Sequence, residues 1–170
     1  MQIIDQFLSN QEFALIANLV TSSKFPWYFQ EKCTFNYSKD SYSYFTHVAV
    51  NEFQQNSDHA YLFNPVLKKL DINTKSVRRI KCNCYPRTHV IEEQEPHQDY
   101  KESHLGAILY LNTNNGFTRL GTKVVESVSN RLLIFDPATI HNSSNCTDST
   151  ARFNINFNFS IPYTELLGWH

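Results

Sequence analysis

The amino-acid sequence predicts a mostly β protein of the α+β class, an antiparallel sandwich or barrel with supporting helices near the N-terminus. Aromatic residues make up 14% and charged residues only 18% of the chain, which favours strands over long helices. Only strand signals follow residue 76, at 77–85, 88–96, 105–112, 122–127, 131–136 and 151–161. A length of 170 residues suits a single domain, 1–170, in which 1–75 form a mixed α/β support and 76–161 the core.

The first helix is predicted from its N-terminal cap. Residues 1–8 alternate weakly and predict a short strand leading into this helix. Ser9 followed by Glu12 is a capping box, and apolar residues at helical spacing continue to Val20. We expect this helix to cover one face of a sheet.

Two strands and a second helix complete the predicted support. Aromatic and β-branched residues favour strands at 25–29 and 42–50. Asn64 and Pro65 supply a capping side chain and a first-turn proline for a shorter helix at 61–70.

The overall charge argues against nucleic acid and membranes as partners. A formal net charge of -1 gives no general attraction to phosphate backbones or anionic lipid, and the basic patch of Arg78, Arg79, Lys81 and Arg87 is short. No apolar run approaches the length of a membrane span, and the N-terminus does not read as a signal peptide. We therefore expect a cytoplasmic protein.

The four cysteines, Cys33, Cys82, Cys84 and Cys146, could form two disulfides, but a cytoplasmic setting predicts reduced thiols. Cys82 and Cys84 share one strand face and could join His89 or His97 in a zinc site. Their C-x-C spacing differs from the usual C-x-x-C arrangement, so this zinc site is a secondary hypothesis.

The stretch from Pro96 to Tyr100 carries the strongest chemical signal. His97 and Asp99 are two residues apart, so in an extended strand both side chains point to the same side. An imidazole and a carboxylate aimed at one point, joined by a second histidine, would make the triad that holds non-haem Fe(II) and leaves positions open. The alternative is a surface histidine hydrogen-bonded to a neighbouring acid.

His141 is the candidate for the third ligand. It lies 42 positions after Asp99 and follows the predicted strand 131–136, and a sandwich built from hairpins brings such a later strand back beside the first. His104, in the loop after Asp99, is a weaker candidate because nothing regular directs its side chain to the same point.

The last predicted strand has one polar and one apolar face. Its residues alternate completely, with Phe153, Ile155, Phe157 and Phe159 on one face and Arg152, Asn154, Asn156 and Asn158 on the other. Asparagine is a poor choice for a strand face in water, so the pattern predicts a polar-lined cavity. Arginine in such a cavity suits a carboxylate, because its guanidinium donates two parallel hydrogen bonds.

In this order, His97-x-Asp99, His141 and Arg152 resemble the signature of the Fe(II)- and 2-oxoglutarate-dependent dioxygenases. The likeness covers most of the chain and is greatest to short prolyl-4-hydroxylase-like members, including those encoded by bacteriophages. It implies a double-stranded β-helix, a cupin-like jelly-roll, in which the two histidines and the aspartate bind iron. It also implies that Arg152 holds the far carboxylate of 2-oxoglutarate, that O2 is the oxidant, and that ascorbate supports turnover.

Further positions follow the family pattern. Tyr110 matches a tyrosine that helps bind the far carboxylate in prolyl-hydroxylase-like enzymes. Asn83-x-Tyr85 resembles a pair that contacts the co-substrate in the AlkB-like branch, and Asn154 lies on the same polar face as Arg152. For the tyrosines the alternative role is packing in a strand.

Two positions depart from the family pattern. The usual Gly-Gly before the threonine is replaced by Asn115-Gly116-Phe117-Thr118, which alters the turn. The second arginine of the AlkB-like branch would fall on Asn158 and is absent, which weakens a role in nucleic-acid repair.

The resemblance implies hydroxylation of an unactivated C–H bond, with a prolyl residue of a peptide or protein as the nearest analogy and a small molecule as the other substrate class. An AlkB-like nucleic-acid demethylase and a non-catalytic metal-binding jelly-roll are the alternatives. The protein would work in the host cytoplasm if it is virus-encoded. Substrate choice is expected to depend on residues 28–44 and 101–105. The aromatic residues in and near the first segment either line a substrate groove or pack in the core and at the sheet edge: Phe35, Tyr37, Tyr42, Tyr44 and Phe45.

Overall fold

The structure, a computed structural model, describes residues 1–31 and 43–163. In this part the chain is mostly β, with eleven strands in two antiparallel sheets, as predicted. The strands are β1 (Gln2–Ile4), β2 (Tyr28–Gln30), β3 (Tyr44–Asn51), β4 (Gln54–Gln55), β5 (Val77–Pro86), β6 (Leu105–Tyr110), β7 (Phe117–Leu120), β8 (Lys123–Glu126), β9 (Leu132–Phe135), β10 (His141–Ser143) and β11 (Ala151–Phe159).

The larger sheet has the strand order β1-β9-β6-β11-β5-β3-β2, with β4 paired to β3, and the smaller has the order β10-β7-β8. Strands from both the predicted support and the predicted core pair within the larger sheet, where β1 joins β9 and β3 joins β5. A cleft of about 800 Å³ is lined by residues of both sheets and so lies between them.

Helices cover the other face of the larger sheet. They are α1 (Asn10–Val20) and α2 (Asn64–Lys69), with 3-10 turns at Ala60–Phe63 and Thr74–Ser76. The capping box of α1 is confirmed, since the Ser9 hydroxyl accepts from the Glu12 amide at 3.3 Å and the Glu12 carboxylate accepts from the Ser9 amide at 3.2 Å. Neither helix is long and apolar enough to cross a bilayer, among the residues that the structure describes.

Strand β11 separates the core from the cleft. Ile155, Phe157 and Phe159 are almost fully buried in the core that the helices cover. The opposite face is also buried rather than wet, with Arg152 and Asn158 at most 1% exposed. The predicted polar-lined cavity is therefore confirmed.

The strand predicted at 88–96 was wrong. This segment is irregular and carries a single isolated bridge, from Glu93 to Ser144. Val90 and Ile91, which contributed to the strand signal, are exposed. Among the described residues no strand pairs with these two positions, so their β-propensity is not used.

Three observed strands were not predicted, and the shortest of them is β4, which pairs with the end of β3. The structure has a hairpin of β7 and β8 where only 122–127 was expected, turning at Gly121 with φ +57°. It also forms β10 at His141, where the end of a loop was expected. The polar sequence His-Asn-Ser has little strand propensity of its own and becomes a strand by pairing with β7. The other predicted strands overlap observed ones.

Candidate metal centre

His97 and His141 are held together by their backbones. The His97 amide donates to the His141 carbonyl at 2.8 Å, and the His141 amide donates back to His97 at 2.9 Å. The two ring centres are 4.7 Å apart. Asp99 lies in a bend rather than an extended strand, where its amide donates to the Pro137 carbonyl at 3.2 Å. The three ligand atoms all lie within 4.8 Å of one another, a group unique among the described residues.

Backbone carbonyls define the tautomer of both rings. Nδ1 of His97 lies 3.2 Å from the Glu95 carbonyl, and Nδ1 of His141 lies 2.8 Å from the Thr139 carbonyl. A carbonyl only accepts, so each Nδ1 carries the proton and each Nε2 keeps a free lone pair. Two imidazoles oriented in this way, with one carboxylate, fit the ligand set of non-haem Fe(II).

The surroundings keep His97 and Asp99 in the protonation states that a metal needs. Burial lowers the pKa of His97, and the neighbouring His141 lowers it further, which favours the neutral ring. For Asp99, burial alone would raise the pKa, but the Arg79 guanidinium, with Nη2 3.0 Å from Oδ1, acts together with Lys81 and the two neighbouring histidines to hold the pKa well below its usual range. His97 therefore offers a neutral ligand and Asp99 an anionic one.

A hydrogen-bonded chain orients the Asp99 carboxylate. The Asn158 amide donates to Asp99 Oδ2 at 3.3 Å, and the Asn158 carbonyl oxygen lies 2.9 Å from Nε2 of His104. The other ring nitrogen of His104, Nδ1, lies 2.7 Å from the Glu102 carbonyl, so the imidazole bridges Asn158 and the backbone of its own loop. His104 thus lies outside the ligand group, as predicted, but it is buried and positions Asn158, a role that nothing in its loop sequence indicated.

We predict that His104→Phe weakens metal binding by about 10- to 100-fold, because residues behind a metal ligand typically have effects of this size. Removing the imidazole leaves the Asn158 carbonyl oxygen without its partner and frees the amide to turn away from Asp99. The affinity for Mn(II) is measured by calorimetry on folded protein. His89→Phe, at an exposed histidine, is the control, and equal affinities in the two variants would contradict the role of His104.

Gly106 sets the position of the loop before His141. A β-carbon at Gly106 would lie 2.2 Å from Cγ and 2.9 Å from Cδ of Pro137, whose carbonyl accepts from the Asp99 amide. We predict that Gly106→Ala lowers the free energy of unfolding by about 1–3 kcal/mol, the usual cost of overpacking, and also weakens Mn(II) binding. Urea unfolding and calorimetry measure the two effects, and unchanged values for both would show that Pro137 moves aside freely.

Arg152 lies fully buried beside the cleft. Its Nη1 donates to the Ser143 hydroxyl at 2.6 Å and its Nη2 to the Thr118 hydroxyl at 2.9 Å, while Nε makes no hydrogen bond with the described residues. Tyr110 also donates to Thr118, at 2.9 Å. The guanidinium carbon is 5.4 Å from the ring centre of Tyr85 and 5.5 Å from that of Tyr110.

The remaining predicted co-substrate residues lie around Arg152. In the pairing of β5 with β11, Tyr85 is opposite Arg152 and Asn83 is opposite Asn154, to which its amide donates at 2.9 Å. Tyr85 and Asn154 line the cleft. Asn83 and Tyr110 are at most 1% exposed and support that lining from behind.

The sequence reasoning missed Thr118 and Ser143, which hold Arg152 in place, and Arg79, which was seen only as part of a basic patch. The turn at 115–118 differs from the family pattern, but the Thr118 hydroxyl still accepts a hydrogen bond from Arg152. A β-carbon at Gly116 would lie 2.6 Å from Cδ of Arg152, so this one glycine provides the close approach.

The cysteine hypothesis has no support in the described residues. Cys82 and Cys84 lie on the opposite side of β5 from Arg79 and Tyr85, which line the cleft, and they belong to no three-ligand group. Burial raises the pKa of Cys84 to about 12, so its thiol stays protonated. The described cysteines are free, and Cys33 lies outside the described residues.

Known structures share this architecture, although no protein-family model and no curated sequence matches the chain. An oxidoreductase of the 2OG-Fe(II) oxygenase family from Burkholderia pseudomallei is 12% identical, with a TM-score of 0.68, covering 93% of this chain and 84% of that one. A Trichoplax adhaerens prolyl hydroxylase, in complex with a hypoxia inducible factor peptide, is 15% identical, with a TM-score of 0.59 and coverages of 94% and 83%. A Pseudomonas putida prolyl-4-hydroxylase is 14% identical, with a TM-score of 0.56 and coverages of 93% and 91%.

These similarities define the structural class. The chain has the double-stranded β-helix fold of the 2OG-Fe(II) oxygenases, as the sequence resemblance implied, and it carries a candidate His-Asp-His iron site. At sequence identities of 12–15%, the structural similarity establishes the fold alone. The roles of individual residues rest on the geometry of the site.

Proposed function

We propose that this protein is an Fe(II)- and 2-oxoglutarate-dependent dioxygenase that hydroxylates an unactivated C–H bond. The observation that carries the proposal is the meeting of His97, Asp99 and His141 within 4.8 Å in a cleft whose lining includes Tyr85 and Ser143, both in contact with the buried Arg152. When bound, the iron would supply O2 activation coupled to oxidative decarboxylation of 2-oxoglutarate to succinate and CO2.

Three side chains would bind the iron and two others would hold one of these ligands in place. His97 and His141 would bind iron through Nε2 and Asp99 through its carboxylate, with Asn158 and Arg79 holding that carboxylate in place. These roles need no movement of the two rings, because their Nδ1 atoms are already bonded to carbonyls.

Arg152 would anchor the far carboxylate of 2-oxoglutarate. Its charge is buried, and its hydrogen-bond partners among the described residues are hydroxyl and carbonyl oxygens of Ser143, Ser144 and Thr118, with no carboxylate. A buried guanidinium is well suited to an incoming carboxylate because it stays charged when desolvated. Tyr85, on the cleft side of Arg152, would pack against the co-substrate.

The substrate class is the least constrained part of the proposal. The Trichoplax adhaerens enzyme is in complex with a peptide and the Pseudomonas putida protein is a prolyl-4-hydroxylase, which supports a prolyl residue of a peptide or protein as a candidate. Of the segments expected to select the substrate, 32–42 lies outside the described residues. Small molecules are the other candidate class.

Succinate release tests the proposal. Purified protein is incubated with Fe(II), ascorbate and 2-oxoglutarate in air, and succinate is measured with and without a panel of prolyl peptides. We expect succinate that requires both iron and O2. Protein that binds Mn(II) but neither binds 2-oxoglutarate nor forms succinate would instead be a non-catalytic metal-binding jelly-roll.

A further inference from the structure

The two carboxylate oxygens of Asp99 have different neighbours. Oδ2 accepts a hydrogen bond from the Asn158 amide at 3.3 Å. Oδ1 lies 3.0 Å from Nη2 of Arg79 and 3.8 Å from Nε2 of His97. Oδ1 is therefore the oxygen beside a candidate metal-binding nitrogen, and it is also the oxygen that a guanidinium neutralises.

Neighbouring strands bring these two partners to the carboxylate. Arg79 on β5 is directly opposite Asn158 on β11, and Arg79 lines the cleft. Ile80, the next residue of β5, points the other way and is buried in the core. The Arg79 side chain is 20% exposed and that of Asp99 is 9% exposed, so the ion pair is largely shielded from water. Its electrostatic effect is therefore stronger than that of a surface pair.

Arg79 contributes charge to Asp99 more than orientation. Its Nε and Nη2 are shielded from solvent and make no aligned hydrogen bond with the described residues. In Arg131, by contrast, the same two nitrogens donate to the carboxylate of Asp5 at 2.6 and 3.0 Å. Asp99 is oriented instead by the Asn158 amide and by its own amide, which donates to the Pro137 carbonyl at 3.2 Å. Removal of the Arg79 charge would leave both of these bonds in place.

A metal ion bound by Asp99 would be repelled by Arg79. The guanidinium stays charged at any ordinary pH and lies beside the same carboxylate. Two unit charges about 4 Å apart change a binding constant roughly 5-fold in water and roughly 1000-fold at an effective dielectric constant of about 20. A divalent ion doubles this interaction energy. Since orientation does not depend on Arg79, repulsion is its larger effect on metal binding.

Before a metal binds, the same guanidinium stabilises the fold. A carboxylate that is only 9% exposed is costly to bury unless an opposite charge lies close to it. Arg79 supplies that charge from a strand of the sheet, and Asn158 supplies a hydrogen bond to the other oxygen. Arg79 therefore has effects of opposite sign on the stability of the metal-free protein and on its affinity for metal.

We propose that Arg79 is an internal counter-ion of the metal centre, which stabilises the metal-free protein and lowers its affinity for metal. This inference rests on the proposed function, since it concerns the same iron site. Asp99 has a cationic partner in both states, which is Arg79 before the metal binds and chiefly the metal afterwards. The affinity of the site is thereby set below the value that His97, Asp99 and His141 alone would give.

Calorimetry with Mn(II) and urea unfolding of the metal-free protein test this inference together. We expect Arg79→Met and Arg79→Gln to bind Mn(II) at least about 10-fold more tightly than the native protein, and to unfold at lower urea concentration without metal. Arg79→Lys keeps the charge and should retain the native affinity. Arg131→Met is the matched control, because it removes a similarly exposed arginine paired with Asp5, and its Mn(II) affinity should be unchanged.

The opposite signs of the two changes distinguish this role from a merely structural one, because a damaged fold lowers both stability and affinity. Equal or weaker Mn(II) binding in both neutral variants, unchanged stability without metal, or an equal gain of affinity in Arg79→Lys would overturn the inference. Failure of both neutral variants to fold with Mn(II) present would also overturn it, since the metal should replace the missing charge. Absence of Mn(II) binding in the native protein and in every variant would instead contradict the proposed function itself.

Discussion

Replacement of Asp99 by alanine is expected to abolish metal binding and iron-dependent turnover of 2-oxoglutarate. Asp99 is the anion of the three-residue group, and the two imidazoles that remain would face Arg79 and Lys81 in the same cleft. A unit charge pair at 4 Å contributes about 4 kcal/mol at an effective dielectric constant of about 20, which is roughly 1000-fold in affinity. Calorimetry with Mn(II) and the succinate assay measure the two losses.

Asp99→Asn separates loss of charge from loss of shape. It keeps the size of the side chain beside Asn158 and removes the negative charge, so it should lose nearly as much affinity as the alanine variant. Asp58→Ala, at an exposed carboxylate, is the control and should bind Mn(II) normally. His97→Ala should also lose turnover, and full activity in both His97→Ala and Asp99→Ala would refute the assignment of the iron site.

Replacement of Arg152 by methionine is expected to weaken 2-oxoglutarate binding while leaving Mn(II) bound. Loss of one partner of a buried, hydrogen-bonded charge pair costs about 2–5 kcal/mol, or roughly 30- to 5000-fold in affinity. Among the described residues, the hydrogen-bond partners of Arg152 are Ser143, Ser144 and Thr118, none of which is a candidate metal ligand. The KM for 2-oxoglutarate and its calorimetric Kd, in the presence of Mn(II), are the quantities to compare.

Two further variants distinguish loss of the carboxylate anchor from a general structural effect of removing an arginine. Arg152→Lys keeps the charge but not the paired donors, so its affinity for 2-oxoglutarate should fall between those of the native protein and the methionine variant. Arg131→Met removes another arginine, one paired with Asp5 on the surface, and should leave the affinity unchanged. A normal Kd in Arg152→Met, or equal loss of Mn(II) binding, would contradict the anchor role.

The sequence predicted those features whose pattern lies entirely within one short stretch of the chain. The capping box at Ser9 and the alternation along 152–159 are local patterns, and both recur in the structure. The candidate ligands His97 and Asp99 were found because they are two positions apart, and an imidazole and a carboxylate at that spacing can bind the same metal ion. His141 and Arg152 were named from the expected return of a later strand and from the polar face of 152–159, and the family resemblance then assigned their roles.

Polar segments stabilised by distant partners could not be predicted in this way. β7 and β10 pair with each other and lack a continuous apolar face, so hydrophobic periodicity does not reveal them. The segment 88–96 has the opposite character, with apolar residues that find no partner strand. In both cases the neighbouring strand decides the outcome.

By itself, the sequence determined the mostly β class, the helix cap, the two-sided character of β11 and the chemistry of His97 and Asp99, because each depends on residues close together in the chain. Only the tertiary structure decided that His104 and Asn158 orient Asp99, that Thr118 and Ser143 hold Arg152, and that Arg79 and Lys81 face the cleft. These roles arise from contacts across strands, where hydrogen bonding and charge act over a few ångströms regardless of how far apart the residues are in sequence.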